Sequence, residues 1–162
     1  MHLDKLKDWG IDFAFTERLQ IDKARNMIAK KAVEKGYDYL FFVDDDNIPD
    51  QDTLIKLMAH NKDIVAPPIA LRRGEDKLAV FDHDFSQLTS ITETREVGGV
   101  GMATTLIKVP VLEAMFKKWS TPFDFEVRKE ERDGDEVFIE YSEDANFCRR
   151  ARTLGFRVWC AT

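Results

Sequence analysis

Hydrophobic and polar residues alternate in blocks along the chain, and these blocks predict strands and helices in turn. Short apolar or aromatic runs are typical of strands. The run "YLFFV" (residues 39–43) is apolar on both faces, which predicts a fully buried strand. Other predicted strands are "IDFAF" (11–15), "DIVAPP" (63–68), "MATTLIKV" (102–109) and "FRVWC" (156–160).

Longer segments between these runs carry apolar residues at helical spacing. The clearest segment runs from Asp22 to Lys35, where Ala24, Ile28 and Ala32 share one face and Gly36 follows as a typical helix stop. Three further helices are predicted, near Asp52 to His60, from Pro110 onward, and from Ser142 to Gly155.

Alternation of strands with helices predicts an α/β fold with a mostly parallel central sheet flanked by helices. A β-hairpin is expected near residues 123–141, because "FDFEV" and "VFIEY" flank the turn signal Asp133-Gly134. With 162 residues, 44% of them hydrophobic, the chain is predicted to form a single compact domain over 1–162.

Charge and composition narrow the possible partners and the compartment. A net charge of -6 argues against the broad basic surface that nucleic-acid binding needs, although a local basic patch could hold a small phosphorylated ligand. No apolar run is long enough for a membrane span, and the first ten residues lack a signal-peptide core. We therefore expect a cytoplasmic protein, with Cys148 and Cys160 as buried free thiols.

Three aspartates, Asp44, Asp45 and Asp46, follow the apolar run 39–43 directly. Ligands of open α/β sheets bind beyond the carboxyl ends of the strands, and crowded carboxylates repel one another unless a cation or donors offset their charge. Hard cations such as Mg²⁺ or Mn²⁺ take oxygen ligands, commonly one or two protein carboxylates and the phosphates of a substrate. The three adjacent aspartates therefore predict the protein part of a metal site, in which a diphosphate would supply the remaining ligands.

A purely structural interpretation of part of this loop stays open. Asp50 and Asp52 are suited to capping the next helix, and Asp45 or Asn47 to shaping the turn. An EF-hand calcium loop is excluded, because Ile48 and Pro49 stand where a ligand and a glycine are needed.

A second acidic feature, "SEDANF", opens the last predicted helix. Ser142 is expected to cap that helix, with Glu143 and Asp144 in its first turn, where the helix dipole favours acidic residues. An exposed carboxylate there is also suited to accept a proton from a hydroxyl nucleophile. Between the two acidic features, glycines in "EVGGVGMATT" precede a strand and predict either a bulge or the close approach of a ligand.

These features, in this order, resemble the nucleotide-sugar glycosyltransferases of the GT-A fold, close to the large inverting family 2 group, over residues 20 to 160. The resemblance implies a GT-A (Rossmann-like) fold and a metal-dependent, hexosyltransferase-like enzyme that uses Mn²⁺ or Mg²⁺. It rests on "KARNMIAKKAVEKGYDYLFFVDDDNIPDQDTLIKLMAHNKDIVAP", "VGGVGMATTLIKVPVLEAM", "WSTPFDF" and "SEDANFCRRARTLGFRVW".

The aspartates match the DXD motif of that family. The resemblance implies that Asp46 binds the metal, that Asp44 binds the metal or the ribose, and that Asp45 lies nearby in the nucleotide-sugar site. It implies as substrates a UDP- or GDP-linked sugar and an acceptor saccharide, lipid or protein.

The later segments match the catalytic part of the family. The resemblance implies that Asp144 is the catalytic base and that Glu143 assists acceptor binding. It further implies that Arg25 lies near the nucleotide and that Gly99 and Gly101 line the floor where sugar and acceptor meet. The implied reaction transfers the sugar to an acceptor hydroxyl with inversion of the anomeric centre.

The chain departs from the family pattern at both ends. Only about 20 residues precede the Arg25 helix, where members begin with a strand and helix that hold the base, and no histidine follows the last strand. These departures keep open a non-catalytic module that binds sugar nucleotides or assists assembly. They also suggest a homo-oligomer, in which a second copy covers apolar sheet surface.

The sequence also contains two candidate phosphate-binding arginines and bears on a second enzyme class. Arg72 and Arg73, just past Pro67-Pro68, are candidates for phosphate contacts or for ordinary surface. A nucleotidyltransferase is disfavoured, because "MHLDKLKDWGIDFAF" lacks the glycine-rich basic loop that cradles a triphosphate.

Overall fold

The computed structural model describes residues 10–71, 77–132 and 134–162. The helices in these ranges are α1 Ile21–Lys35, α2 Thr53–Ala59, α3 Val109–Lys118 and α4 Glu143–Thr153. The strands are β1 Tyr39–Val43, β2 Ile64–Ala66, β3 Val80–Phe81, β4 Arg95–Val97, β5 Gly99–Val100, β6 Thr104–Lys108, β7 Glu126–Arg132, β8 Asp135–Tyr141 and β9 Val158–Cys160. Arg72, Arg73 and Asp133 lie outside the described residues.

The main sheet has five strands in the order β1-β6-β2-β9-β4. Strand β6 runs antiparallel to both of its neighbours, β1 and β2, and β4 runs antiparallel to β9. Only the β2–β9 pair in this sheet is parallel. The prediction of a mostly parallel, GT-A (Rossmann-like) sheet is therefore wrong, and the sheet is mixed.

The physical reason for the mixed sheet lies in the part of the chain between β2 and β6. In the described part of that stretch (residues 67–71 and 77–103), β3, β4 and β5 follow one another without an intervening helix, so the chain re-enters the sheet in the opposite direction. Strand β6 then inserts between β1 and β2, which are parallel to each other but not paired. The alternation of elements indicates neither this insertion nor its direction.

Strand β1 has the predicted boundaries but not the predicted burial. It is the edge strand of the five-stranded sheet, so of its residues only Phe42 is buried, and Val43 is 45% exposed. The predicted strand at 11–15 is wrong as well. That segment is not in a strand, and the rings of Phe13 and Phe15 stack on each other with exposed faces rather than entering the core.

The core lies where α1, α3 and α4 pack on the sheet. Helix α1 begins one residue before its predicted start and ends at Gly36, which has a φ of 69° and donates its N–H to the Val33 carbonyl. The hairpin predicted near 123–141 is present as β7 and β8, paired in register from Glu126–Tyr141 to Arg132–Asp135.

Both cysteines are free and buried, as the sequence predicts. Burial raises the pKa of the Cys148 thiol to about 12 and that of Cys160 to about 11. Both thiols therefore stay protonated and unreactive near neutral pH. No helix in the described part of the chain combines the length and the apolar composition needed to cross a membrane.

Candidate functional site

The aspartate turn follows β1 and is held against the segment that leads into β6. The Asp44 N–H donates to the Ala103 carbonyl over 2.9 Å, and the Asn47 side-chain amide donates to the Thr104 hydroxyl over 2.7 Å. Asp44 is partly buried, whereas Asp45 and Asp46 are exposed to solvent. The backbone thus fixes the turn while leaving two adjacent carboxylates at the surface.

Arg25 connects this turn to the start of α4. Its guanidinium donates from one terminal nitrogen to Asp44 Oδ2 and from Nε to Glu143 Oε1, each over 3.1 Å. The side chain of Arg25 is 6% exposed, and its guanidinium also lies 5.3 Å from the centre of the Phe42 ring. One buried cation therefore joins two carboxylates that are 99 residues apart in sequence.

Glu143 is a buried carboxyl in the first turn of α4, with 6% of the residue exposed. Burial raises its pKa, the negative charge of Asp144 adds to that rise, and the ion pair with Arg25 opposes it. The net direction is upward because the cost of removing the carboxylate from water exceeds the gain from its single cation.

This shift predicts how stability depends on pH. A carboxyl whose pKa is higher in the folded than in the unfolded state contributes stability that is full below the unfolded value and is lost as pH rises through the folded value. We therefore expect the free energy of unfolding of the native chain, minus that of Glu143→Gln, to fall as pH rises from the ordinary carboxyl value of 4.5. Chemical denaturation across that pH range measures this difference. A difference that instead grows with pH would mean that Arg25 controls the ionisation of Glu143.

Asp144 adjoins Glu143 but is only partly buried. Its Oδ1 accepts hydrogen bonds from the Ser142 hydroxyl and from the Ala145 N–H. Its Oδ2 points toward Gly101, 3.5 Å from the position that a Cβ there would take. The predicted cap is wrong in detail, because Ser142 occupies the N-cap position but bonds Asp144 rather than the helix backbone.

The glycines before β6 allow neighbouring segments of the chain to pack closely against them. A Cβ on Gly98 would lie 1.9 Å from the Asp82 carbonyl oxygen, and one on Gly99 would lie 3.3 Å from the Phe85 ring. Gly101 likewise packs against Ala79 while approaching Asp144. Close approach of the Asp82 backbone thus explains Gly98, whereas Gly99 and Gly101 lie against side chains, and Gly101 also borders the space beside Asp144.

A cleft of about 570 Å³ opens beside the start of α4; we call it the aromatic cleft. Phe81, Phe85, Ile139, Tyr141 and Ser142 contribute to its lining. The rings of Phe85 and Tyr141 meet edge to face with their centres 5.6 Å apart. Phe85 has a φ of 64°, a strained conformation for a bulky residue that costs about 1–2 kcal/mol. The residue lies in a tight turn in which its N–H donates to the Asp82 carbonyl over 2.9 Å, and this turn fixes the ring at the cleft.

Buried and partly buried polar side chains that sequence reasoning did not identify support the site. Asn26 bonds both the N–H and the carbonyl of Phe123, and Asn146 donates to the Asp124 carbonyl. Arg150 donates to the carbonyls of residues 121 and 122. These bonds hold the "WSTPFDF" segment so that the Phe123 ring stacks on Phe147 at 4.1 Å. Only the aromatic composition of that segment signalled its importance.

The donor set at the end of β1 fits a hard cation in part. The described residues contain no group of three His, Cys, Asp or Glu side chains arranged to hold a metal ion. Adjacent carboxylates at the exposed turn have the oxygen chemistry that Mg²⁺ and Mn²⁺ require, and such ions complete their coordination with water and substrate phosphates. The residues therefore suit a cation shared with a ligand rather than one enclosed by protein.

The structure brings several of the predicted site residues together. Arg25, Asp44 and Glu143 are in direct contact, Asp144 follows Glu143, and Gly101 adjoins Asp144. Asp45 and Asp46 continue the turn from Asp44, and Gly99 packs near Phe85 and Cys148 at the edge of the same region. The individual roles assigned to these residues stay predictions.

Comparison with known proteins adds a fold-level likeness. No protein-family model matches the chain, and no curated protein matches it. Among solved structures, the chain is similar to that titled "Crystal Structure of A197 from STIV", with a TM-score of 0.59 and 23% sequence identity. The likeness covers 99% of this chain and 73% of that one. At this identity the likeness shows a shared fold alone and carries no information about function.

Proposed function

We propose that this chain is a metal-dependent glycosyltransferase, which moves a sugar from a UDP- or GDP-linked donor to an acceptor hydroxyl with inversion. The observation that carries the proposal is the contact of Arg25 with both Asp44 and Glu143. That contact brings the aspartate turn, which suits a cation and a diphosphate, next to the acidic start of α4, which suits a base. The sequence resemblance assigns the same two functions to these two segments.

Asp144 is the proposed general base. Its Oδ1 is occupied by two hydrogen bonds that fix the carboxylate, and Oδ2 is directed toward the space beside Gly101. From that position Oδ2 would take the proton of the acceptor hydroxyl as the hydroxyl oxygen attacks the anomeric carbon. The bond from that carbon to the diphosphate breaks in the same displacement, and the nucleoside diphosphate leaves.

Arg25 and Glu143 are proposed as positioning residues. Both are buried, and the charge of each is directed at its protein partners rather than at solvent. The ion pairs hold β1 and α4 at a fixed separation, so the donor end and the base keep their geometry during the reaction.

The proposed cation would be held by Asp46 with help from Asp44. When bound, a divalent cation would offset the negative charge that develops on the departing diphosphate. Asp45 lies beside both and would contribute to the negative potential that attracts the cation.

The aromatic cleft is the proposed place for the acceptor. It reaches Ser142, whose hydroxyl bonds Asp144, so a ligand in it would lie close to the base. Aromatic faces pack well against the apolar faces of sugar rings, and neighbouring carboxylates on Asp84 and Glu140 would accept bonds from hydroxyls.

Calorimetric titration with UDP and with GDP, in the presence and absence of Mn²⁺, tests the donor site. We expect binding that requires Mn²⁺ and that is weakened about tenfold or more in Asp46→Ala, because Asp46 is the proposed direct ligand and the loss of even a residue that only supports a metal ligand lowers metal affinity by about 10- to 100-fold. Asp50→Ala is the matched control, since Asp50 is an exposed carboxylate later in the same loop and should leave binding unchanged.

The outcomes separate the candidate functions. Metal-dependent binding together with sugar transfer supports the enzyme, and metal-dependent binding without transfer of any sugar supports the non-catalytic sugar-nucleotide module. Absence of nucleotide binding with Mn²⁺ present, or equal losses in Asp46→Ala and Asp50→Ala, would refute the donor site.

A further inference from the structure

A second cavity, of about 440 Å³, lies between the end of α3, the start of β7 and the middle of α4; we call it the basic pocket. Its charged lining residues are Lys118, Glu126, Arg128, Arg149 and Arg150. Four cationic side chains thus share the pocket with one carboxylate, in a chain whose net charge is -6. The pocket is therefore positively charged, although the protein as a whole carries a net negative charge.

Both oxygens of the single carboxylate already have cationic partners. Glu126 accepts hydrogen bonds from Arg128 and Arg149, and Arg150 lies 3.6 Å from its Oε2. Arg150 also has Asp124 at 3.3 Å, outside the pocket lining. Counting both carboxylates, the four cations still exceed them by two charges.

Arg149 has the least favourable position of the four. It is 16% exposed, and its Nε is a buried donor with no hydrogen-bond acceptor in the described part of the chain. Burial lowers the pKa of Arg149, the cations Arg128 and Arg150 add to that effect, and Glu126 opposes it. A partly buried guanidinium whose buried Nε has no acceptor, and which has two like-charged neighbours, is destabilising unless further negative charge is near.

The shape of the pocket suits a small ligand. Lys118 is exposed and Arg128 is 45% exposed at their side chains, so both can reach a ligand from the rim. Arg149 is partly buried and Arg150 is buried, so these two form the inner wall, and the Arg150 guanidinium lies 5.3 Å from the Trp119 ring centre. A volume of 440 Å³ is within the range of small-molecule sites and is too small for a folded partner.

We propose that the basic pocket binds a small phosphate-bearing anion, either inorganic phosphate or a phosphate monoester. Guanidinium groups bind phosphate oxygens by paired, charge-assisted hydrogen bonds, and one dianion would balance the two excess positive charges. The site is separate from the aspartate turn and from Asp144, and it does not rest on the proposed transferase activity. Asp144 and Arg149 lie five residues apart on α4, about 7.5 Å along its axis.

Calorimetric or NMR titration of the native chain with inorganic phosphate, and separately with phenyl phosphate, tests the proposal; EDTA is present to exclude divalent cations. We expect saturable binding that Arg128→Gln weakens about tenfold or more, because a charge-assisted hydrogen bond is lost. Lys118→Gln should also weaken binding. Arg128 is preferred to Arg150 for substitution, because Arg150 also holds residues 121 and 122.

Two control variants test whether the loss of binding is specific to the basic pocket. Lys129→Gln removes an exposed cation from the next position of β7, outside the pocket, and Asp46→Ala alters the proposed donor site; both should bind phosphate as the native chain does. Phenyl phosphate that binds at least tenfold more tightly than phosphate identifies monoesters as the ligand class, whereas equal affinities identify the phosphate group alone. The proposal is overturned if neither anion binds, or if Lys129→Gln weakens binding as much as Arg128→Gln does.

Discussion

Replacement of Asp144 by asparagine is expected to lower the rate of sugar transfer by about 10²- to 10⁴-fold, the usual contribution of a general base. The amide can still accept from Ser142 and from the Ala145 N–H through its oxygen, so the start of α4 should keep its structure. It cannot take a proton from the acceptor hydroxyl. The measurement is the rate of nucleoside diphosphate release with Mn²⁺, a donor sugar and a saturating acceptor.

Nucleotide affinity distinguishes the loss of the general base from a wider disruption of the site. We expect Asp144→Asn to bind UDP or GDP as the native chain does, since Asp144 lies on the acceptor side of the proposed site. Asp135→Asn, an exposed aspartate at the hairpin, is the matched control and should transfer sugar at the native rate. Native transfer rates in Asp144→Asn would show that another group accepts the proton.

Replacement of Arg25 by methionine is expected to destabilise the fold by about 3–5 kcal/mol, because it leaves the buried carboxylate of Glu143 without its cation. Chemical denaturation at neutral pH measures the free energy of unfolding. Nucleotide binding should weaken as well, since the aspartate turn and α4 lose the side chain that connects them. Lys30→Met is the control on the same helix, where an exposed ion pair with Glu34 is lost at a cost of less than about 1 kcal/mol.

A double substitution shows whether the uncompensated charge is the cause. Arg25→Met combined with Glu143→Gln removes both charges of the buried Arg25–Glu143 ion pair and leaves only the carboxylate of Asp44, whose side chain is 29% exposed, so we expect it to be more stable than Arg25→Met alone. If the two losses simply add, Arg25 stabilises the protein through its packing against Phe42 and not through its charge.

Local elements of this fold are predictable because their signals are local. The spacing of Ala24, Ile28 and Ala32 and the stop at Gly36 predict α1 to within one residue. The hairpin of β7 and β8 follows from a turn signal between two strand-like runs. In each case the residues that specify the element are also those that form it.

The sheet itself was not predictable in this way. Whether β6 pairs with β1 and β2, and in which direction, depends on contacts between residues 41 to 69 positions apart, which no local pattern specifies. The error about β1 has the same origin, because an apolar strand is fully buried only when neighbours cover both its faces and both its edges. The position of β1 at the edge of the sheet leaves Val43 exposed.

The candidate site was partly predictable. Its acidic residues form unusual groupings at the end of a strand and the start of a helix. The resemblance to glycosyltransferases implies that Arg25 also belongs to the site. The contact that joins them spans 118 residues from Arg25 to Glu143 and became apparent only in three dimensions. Asn26 and Asn146 support the site through backbone carbonyls, and ordinary asparagines in a helix give no signal of such a role.

NMR spectroscopy with a substoichiometric amount of Mn²⁺ and excess UDP or GDP tests most directly whether a cation and a diphosphate bind at the end of β1. Paramagnetic Mn²⁺ broadens the amide signals nearest to it, whereas Mg²⁺ does not. The proposed site predicts that signals of residues 44 to 47 disappear first, followed by those of Ala103 and Thr104, which the turn contacts. Broadening that begins instead at the carboxylates of the β7–β8 hairpin, with residues 44 to 47 unchanged, would contradict it.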